Sequence, residues 1–294
     1  MVPQGGVVGA IAARAMEAEL GTGQSLRSFH GVFASPVPVG PVDIEVDVLR
    51  SGRSMSQVQA TVRGAGADAG FTALAAFGNE RPGFGYTELA MPNVPAPEEC
   101  VSFRDPPPPE AGMPDGPVFP FWNEVLEGRP AMGHAPWDPS ERSAAEVATW
   151  FRFDHFPGDA HGQFDQLALL VAADMMPSAV FEKLGPAETG WFAPSVDLTV
   201  HLVGLPTGTW ILNHNRAHYA GDGYASAEAR SGIHTVATVR PCWPGPRRSW
   251  SLPDSTNDSR DPNAKRPADV AAGHKWCRRG DTRAKYIRRR GKRG

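Results

Sequence analysis

The chain has 294 residues, 41% of them hydrophobic and 21% charged, with 32 Gly and 29 Pro and a formal net charge of −3. That length gives room for roughly two domains of ordinary size, and the composition is that of a soluble globular protein. No apolar run approaches the ~18 residues that would predict a membrane span. Cys100, Cys242 and Cys277 form no CxxC pair and no disulfide framework, so a reducing, cytoplasmic setting is expected. The opening MVPQGGVVGAIAARAMEAEL lacks a basic n-region and carries Glu17 and Glu19, which argues for an amphipathic helix over a signal peptide.

Taken in order, residues 1–78 read as one unit. A helix is predicted from about Gly5 to Leu20, ended by Gly21 and Gly23. Strand-like runs follow: SLRSFHGVFAS, VDIEVDVLRSG, RSMSQVQATVRG and GFTALAAFG. In VDIEVDVL, Val42, Ile44, Val46 and Val48 alternate with Asp43, Glu45 and Asp47, the pattern of a half-buried antiparallel strand. Residues 79–115 are Pro-rich, with PPPP at 106–109, and are expected to be a linker.

Residues 116–240 repeat that order at the level of elements. Strand-like stretches near 118–131 and 147–155 precede a helix from about Gln163 to Leu184. The runs APSVDLTVHLVG, GTWILNHNRAHYAG, GYASAEARSG and a weaker IHTVATV follow it. Residues 241–294 carry 15 Lys and Arg against 5 Asp and Glu, whereas the first 240 residues hold 14 against 27. This last segment has no apolar periodicity and reads as a disordered basic tail. With no folded nucleic-acid module beside it, a nucleic-acid partner is not expected.

One acid stands out. Leu167, Leu170, Val171 and Asp174 fall at helical spacing on a single face, so Asp174 lies on the stripe that should meet the core. Pro177, three residues on, lacks the N–H that would bond the Ala173 carbonyl, which predicts a kink beside the acid. Asp174 reads either as a structural cap or ion-pair partner, or as a functional carboxylate.

Several motifs resemble the acyl-CoA thioesterase II family. They are Gly5-Gly6-Val7-Val8-Gly9 opening the first helix, Ser28-Phe29-His30, the hairpin from Val46 to Ser54, Ala172-Ala173-Asp174, and the strand from Pro194 to His201. The likeness covers about residues 5–78 and 118–230. It implies an α+β double hotdog: two antiparallel sheets, each wrapped around a helix, joined side by side in one chain. It also implies hydrolysis of acyl-CoA thioesters to free acid and CoA, with CoA as part of the substrate and no cofactor. Matched residue by residue, the family's helix carboxylate is Asp174 and its strand hydroxyl is Ser195. The family's last-strand Gln has no match, because Arg240 stands nearest, and an Arg cannot accept a hydrogen bond as a Gln carbonyl can.

Both ends depart from the family. No strand precedes the Gly-Gly helix, so the first strand of the N-terminal hotdog is expected to be missing. The last strand weakens into the basic tail. Truncation or a change of reading frame would produce both features.

A carboxylate in an apolar setting has a raised pKa and is a better base for a water. Ser195 could hold that water or the developing oxyanion by its O–H, and the first turn of the 163–184 helix offers free N–H groups to the carbonyl oxygen. Ser195, Asp197, Thr199 and His201 alternate with apolar residues, which places them on one polar strand face, and His30 reads as structural.

Rival chemistries lack their residues. There is no G-x-S-x-G elbow. His214 and His218 on one strand stand ~13 Å apart, too far for one metal. GGVVGA has no strand before it for a dinucleotide site. The expected activity is therefore thioester hydrolysis by a water activated at Asp174. The alternative is a non-catalytic acyl-CoA-binding hotdog whose site is broken at Arg240. A homo-oligomer is compatible with either.

Overall fold

The computed structural model describes residues 3–111, 124–135, 137–138, 140–141, 144–175, 177–185, 193–206 and 208–231, together with the backbone of 233–239 and 285–288. Helix α1 spans Gly5–Leu20 and buries Gly6, Val8, Gly9, Ala12, Ala13 and Met16 along one stripe. The small residues let it lie close to its neighbours. Gly21 ends it in the left-handed region at φ 57°, its N–H bonded to the Glu17 carbonyl.

Four antiparallel strands follow: β1 (Ser25–Phe33), β2 (Val42–Arg50), β3 (Met55–Gly64) and β4 (Phe71–Gly78). Their inward residues alternate as pleating requires, with Val58, Ala60, Val62, Phe71, Ala73 and Phe77 under 2% exposed. In β2 the alternation holds through Val46 and ends at Val48, which is 39% exposed.

The second half contains β5 (Leu126–Met132), β6 (Glu146–Phe153), β7 (Ser195–Leu202), β8 (Ile211–Gly221), β9 (Tyr224–Arg230) and β10 (Ile233–Val239). The expected single helix over 163–184 is two: α2 (Ala168–Ala173) and α3 (Pro177–Leu184), separated at Asp174. Pro177 opens α3, where its missing N–H is no loss. What looked like a kink is a helix end.

The sheet order is β11-β2-β3-β4-β1-β7-β10-β9-β8-β6-β5, and β1 and β7 pair antiparallel at the junction of the halves. On either side of that junction the strands run in mirrored order, β1-β4-β3-β2 against β7-β10-β9-β8. The two halves are thus related by an approximate twofold. β11 (Lys285–Arg288), from the C-terminal segment, pairs parallel with Asp43–Val46 at the β2 edge; the rest of 241–294 lies outside the described residues.

One core runs across the junction. It joins Met16 of α1, Phe29 of β1, Leu169 and Leu170 of α2 and Leu198 and Val200 of β7. Burying a side chain such as Leu170 contributes about 1.5–3 kcal/mol.

Residues 95–105 pack along β5 and β6, at one edge of the sheet. Trp150 Nε1 donates to Pro95 O at 2.9 Å, Arg129 Nη1 to Pro97 O at 2.8 Å, and Phe103 N to Gly128 O at 2.8 Å. Under this strap, buried Glu127 pairs with Arg129 and Arg152, whose guanidinium carbons stand 5.2 and 4.6 Å from the Trp210 ring centre.

Candidate active site

The site forms where the first turn of α1 meets the last turn of α2. The helices approach this closely only because the first two residues of α1 are glycines. A Cβ on Gly6 would stand 2.2 Å from Leu170 O, and one on Gly5 would stand 2.7 Å from Asp174 Oδ2 and from Phe33 Cζ. Gln4 is the N-cap of α1, and its Oε1 accepts from Val7 N at 3.0 Å.

The break between α2 and α3 leaves carbonyls that side chains satisfy. Asn213 Nδ2 donates to Ala172 O at 2.8 Å, and Gln4 Nε2 donates to Val171 O at 3.2 Å and Asp174 O at 3.1 Å. Ser178 Oγ donates to Met175 O at 2.8 Å and accepts from Asn215 Nδ2 at 3.3 Å. Asn213 and Asn215 are two fully buried amides on the inner face of β8, and they prop the break from below.

Asp174 caps α2 at φ −90°, ψ 41°. Its Oδ1 accepts from Ser195 Oγ at 2.7 Å, and its Oδ2 from Gln4 Nε2 at 3.0 Å and Gly6 N at 3.1 Å. The residue as a whole is half-buried, but the carboxyl oxygens are enclosed by α1, Phe33 and Ser195. Burial pushes its pKa up to about 6, against the bonds from Ser195, Gly6 and Gly5, which favour the charged form. All these partners are uncharged.

Asp174 and Ser195 are therefore in direct contact. The route differs from the expected one in two respects. The helix start beside Asp174 is that of α1, whose Gly6 N donates to the carboxylate, whereas the first turn of the 163–184 segment, expected to serve the thioester carbonyl, lies at the far end of α2. Ser195 also does not share the outer face with Asp197, Thr199 and His201. β7 carries one extra residue against β10, since Thr238 pairs with Asp197 but Val239 pairs with Ser195. This irregularity shifts the parity and turns Ser195 toward the helices.

His30 stays on the outer face, its Nδ1 2.8 Å from Thr199 Oγ1 across the β1–β7 junction. Arg240 lies outside the described residues. Among the described residues no group of three or more His, Cys, Asp or Glu could hold a metal, and no helix is long and apolar enough to cross a membrane.

Gln4 and the amide of Gly6 are the site groups that residue patterns did not reveal. Their signal was the Gln-Gly-Gly opening of the helix, but nothing local says that it faces a residue ~170 positions away.

The N-terminal half, residues 2–78, matches the family model of the acyl-CoA thioesterase N-terminal domain, and residues 97–231 match that of the acyl-CoA thioesterase C-terminal domain. Among solved structures, a conserved protein with a hot dog fold from Alicyclobacillus acidocaldarius is 25% identical with a TM-score of 0.66, over 83% of this chain and 88% of that one. A proposed thioesterase II from Thermobifida fusca is 21% identical with a TM-score of 0.64, over 82% and 87%. An acyl-CoA thioesterase II from Mycobacterium marinum is 17% identical with a TM-score of 0.60, over 83% and 92%. No curated protein matches the chain. The fold is a double hotdog, each half a helix-bearing antiparallel sheet, joined through β1 and β7.

Proposed function

Because the chain belongs to the acyl-CoA thioesterase family, we propose that it hydrolyses acyl-CoA thioesters with a water activated by Asp174. The observation that carries this reading is the enclosed carboxylate, with Ser195 at 2.7 Å and a pKa of about 6. At pH 7 such a group is about nine-tenths ionised yet basic enough to take a proton. Asp174 removes a proton from the water as its oxygen bonds to the thioester carbon. The carbonyl oxygen becomes an oxyanion beside the positive end of α1. The intermediate collapses, the carbon–sulfur bond breaks, and the proton passes from Asp174 to the leaving CoA thiolate. Free acid and CoA result, with no covalent enzyme intermediate and no cofactor. Ser195 holds the carboxylate in place and can turn its hydroxyl to the water.

The test is thiol release from a C2–C18 ladder of acyl-CoAs by wild type and Asp174→Asn. Turnover that collapses in the variant while acyl-CoA still binds supports the reading. Wild-type protein that binds acyl-CoA without turnover refutes it and favours the binding protein.

A further inference from the structure

Gln4 makes more polar contacts at this site than its place before a helix requires. Capping α1 uses one atom, Oε1, which accepts from Val7 N. The other end, Nε2, faces three oxygens of the opposite half: Asp174 Oδ2 at 3.0 Å, Asp174 O at 3.1 Å and Val171 O at 3.2 Å. This orientation is the one the surroundings allow. Flipping the amide would set its carbonyl against three acceptors and its NH2 against a backbone donor. Gln4 thus holds the side chain and the main chain of Asp174 at once, and fixes both to the start of α1. A helix-terminal acid whose carbonyl and carboxylate share one donor has little freedom at χ1 or ψ.

We propose that Gln4 is a positioning residue for thioester hydrolysis: its amide N–H groups fix the rotamer of Asp174 and favour its ionised form, tying the base in one half of the chain to the helix start in the other.

This role rests on Asp174 being the base. Among the described residues, no charged group is bonded to the Asp174 carboxylate. Arg14 of α1 pairs with Glu17 and with Asp165, Glu182 of α3 engages His134, and His30 of β1 engages Thr199. Asp197 of β7 lies on the face of Thr199, away from the helices, α2 carries no charged residue, and Lys183 closes the last turn of α3. The bond from Gln4 is one of three that the carboxylate accepts, beside those from Gly6 N and Ser195 Oγ.

The test uses the full-length protein and two substitutions. Gln4→Met removes donor and cap together. Gln4→Glu keeps an acceptor for Val7 N and replaces the donor by an acid, so it isolates the donor if the Met variant fails to fold. The carboxyl of Asp174 is titrated directly by carbon-13 NMR, its signal assigned by its loss in Asp174→Asn. In parallel, kcat and KM for an acyl-CoA are measured from pH 5 to 9. The expected result is a midpoint raised by about one unit in Gln4→Met and further in Gln4→Glu, with the acid limb of kcat/KM moving by the same amount. At pH 7, kcat should fall about tenfold or more, with KM within about twofold. A midpoint within about 0.3 units of wild type in both variants overturns the proposal, even if the protein is less stable. If Asp174→Asn still turns over substrate, the reading of Asp174 as base fails, and the titration alone then decides whether Gln4 acts on the carboxylate.

Discussion

Replacing Asp174 by Asn should make the protein more stable at neutral pH while removing the proposed base. The carboxyl has an ordinary pKa of 3.8 and a folded value of about 6. Between these values the folded protein holds a proton that the unfolded chain releases. Stability therefore falls as pH rises through that window and is level above it. The gap of about 2 units, at 1.36 kcal/mol per unit, makes ionisation in the fold cost about 3 kcal/mol at pH 7 and above. Asparagine carries no charge at any pH. Its Oδ1 can still accept from Gln4 and Gly6, and its Nδ2 can donate to the Ser195 hydroxyl, which is free to rotate. Urea unfolding of both proteins from pH 4 to 8 should show a stability difference that grows by up to about 3 kcal/mol in favour of the variant as pH rises, with its midpoint near 5. A difference that is flat with pH, or that turns against the variant above pH 6, would refute the claim that burial dominates the carboxylate's environment.

Three other substitutions test neighbouring parts. Ser195→Ala removes a bond to a charged group worth about 1.5–3 kcal/mol; the acid limb of kcat/KM should move up by about 1–2 units, and a limb unchanged near pH 6 would mean that Ser195 does not act on Asp174. Gly6→Ala puts a methyl 2.2 Å from the Leu170 carbonyl oxygen, forcing α1 away from α2; overpacking of this kind costs about 1–3 kcal/mol, read as a lower urea midpoint together with reduced turnover. Glu127→Gln leaves Arg129 and Arg152 without their shared carboxylate. Burial pushes the Glu127 pKa up, but the bonds from the two arginines outweigh it and hold it below the ordinary range, so its contribution is present above that range and fades as pH falls. The variant should lose about 1–3 kcal/mol at pH 7, discounted for the exposure of Arg152, and limited proteolysis should cut faster within the strap at 95–105.

Much of this architecture was legible in residue order. The Ala-rich stripe of α1 and the alternation in β2 are local patterns, and local patterns survive folding when one face is buried and the other wet. The contact between Asp174 and Ser195 was reached through motif order. Neither the helix end at Asp174 nor the parity of Ser195 was legible. The apolar face of 167–184 continues across the break, so periodicity alone joins α2 to α3. What permits the break is a pair of buried amides, Asn213 and Asn215, on a strand ~40 residues later. The parity of Ser195 depends on one unmatched residue in the β7–β10 ladder, and that is a property of pairing, which single-strand alternation cannot report. Gln4 was invisible for the same reason: its three acceptors belong to residues 171 and 174, and only the antiparallel approach of α1 and α2 brings them to it.

That approach also explains why one end of the helix pair differs from the other. The approximate twofold offers two places where the start of one helix meets a later turn of its partner. At the first, α1 begins against Asp174, and the described groups on the carboxylate are uncharged donors. At the second, α2 begins near Asp165, whose Oδ1 accepts from Leu167 N at 3.0 Å and whose Oδ2 is paired with Arg14, itself paired with Glu17. The Asp165 carboxylate is held by a half-exposed guanidinium and meets solvent. The Asp174 carboxylate is desolvated among amides and a hydroxyl, which pushes its pKa up to about 6. The two acids therefore stand at opposite ends of α2, in surroundings of different polarity. Because the Asp174 carboxylate takes its donors from Gln4 and Gly6 in one half and from Ser195 in the other, its surroundings are complete only when both halves of the chain are in place.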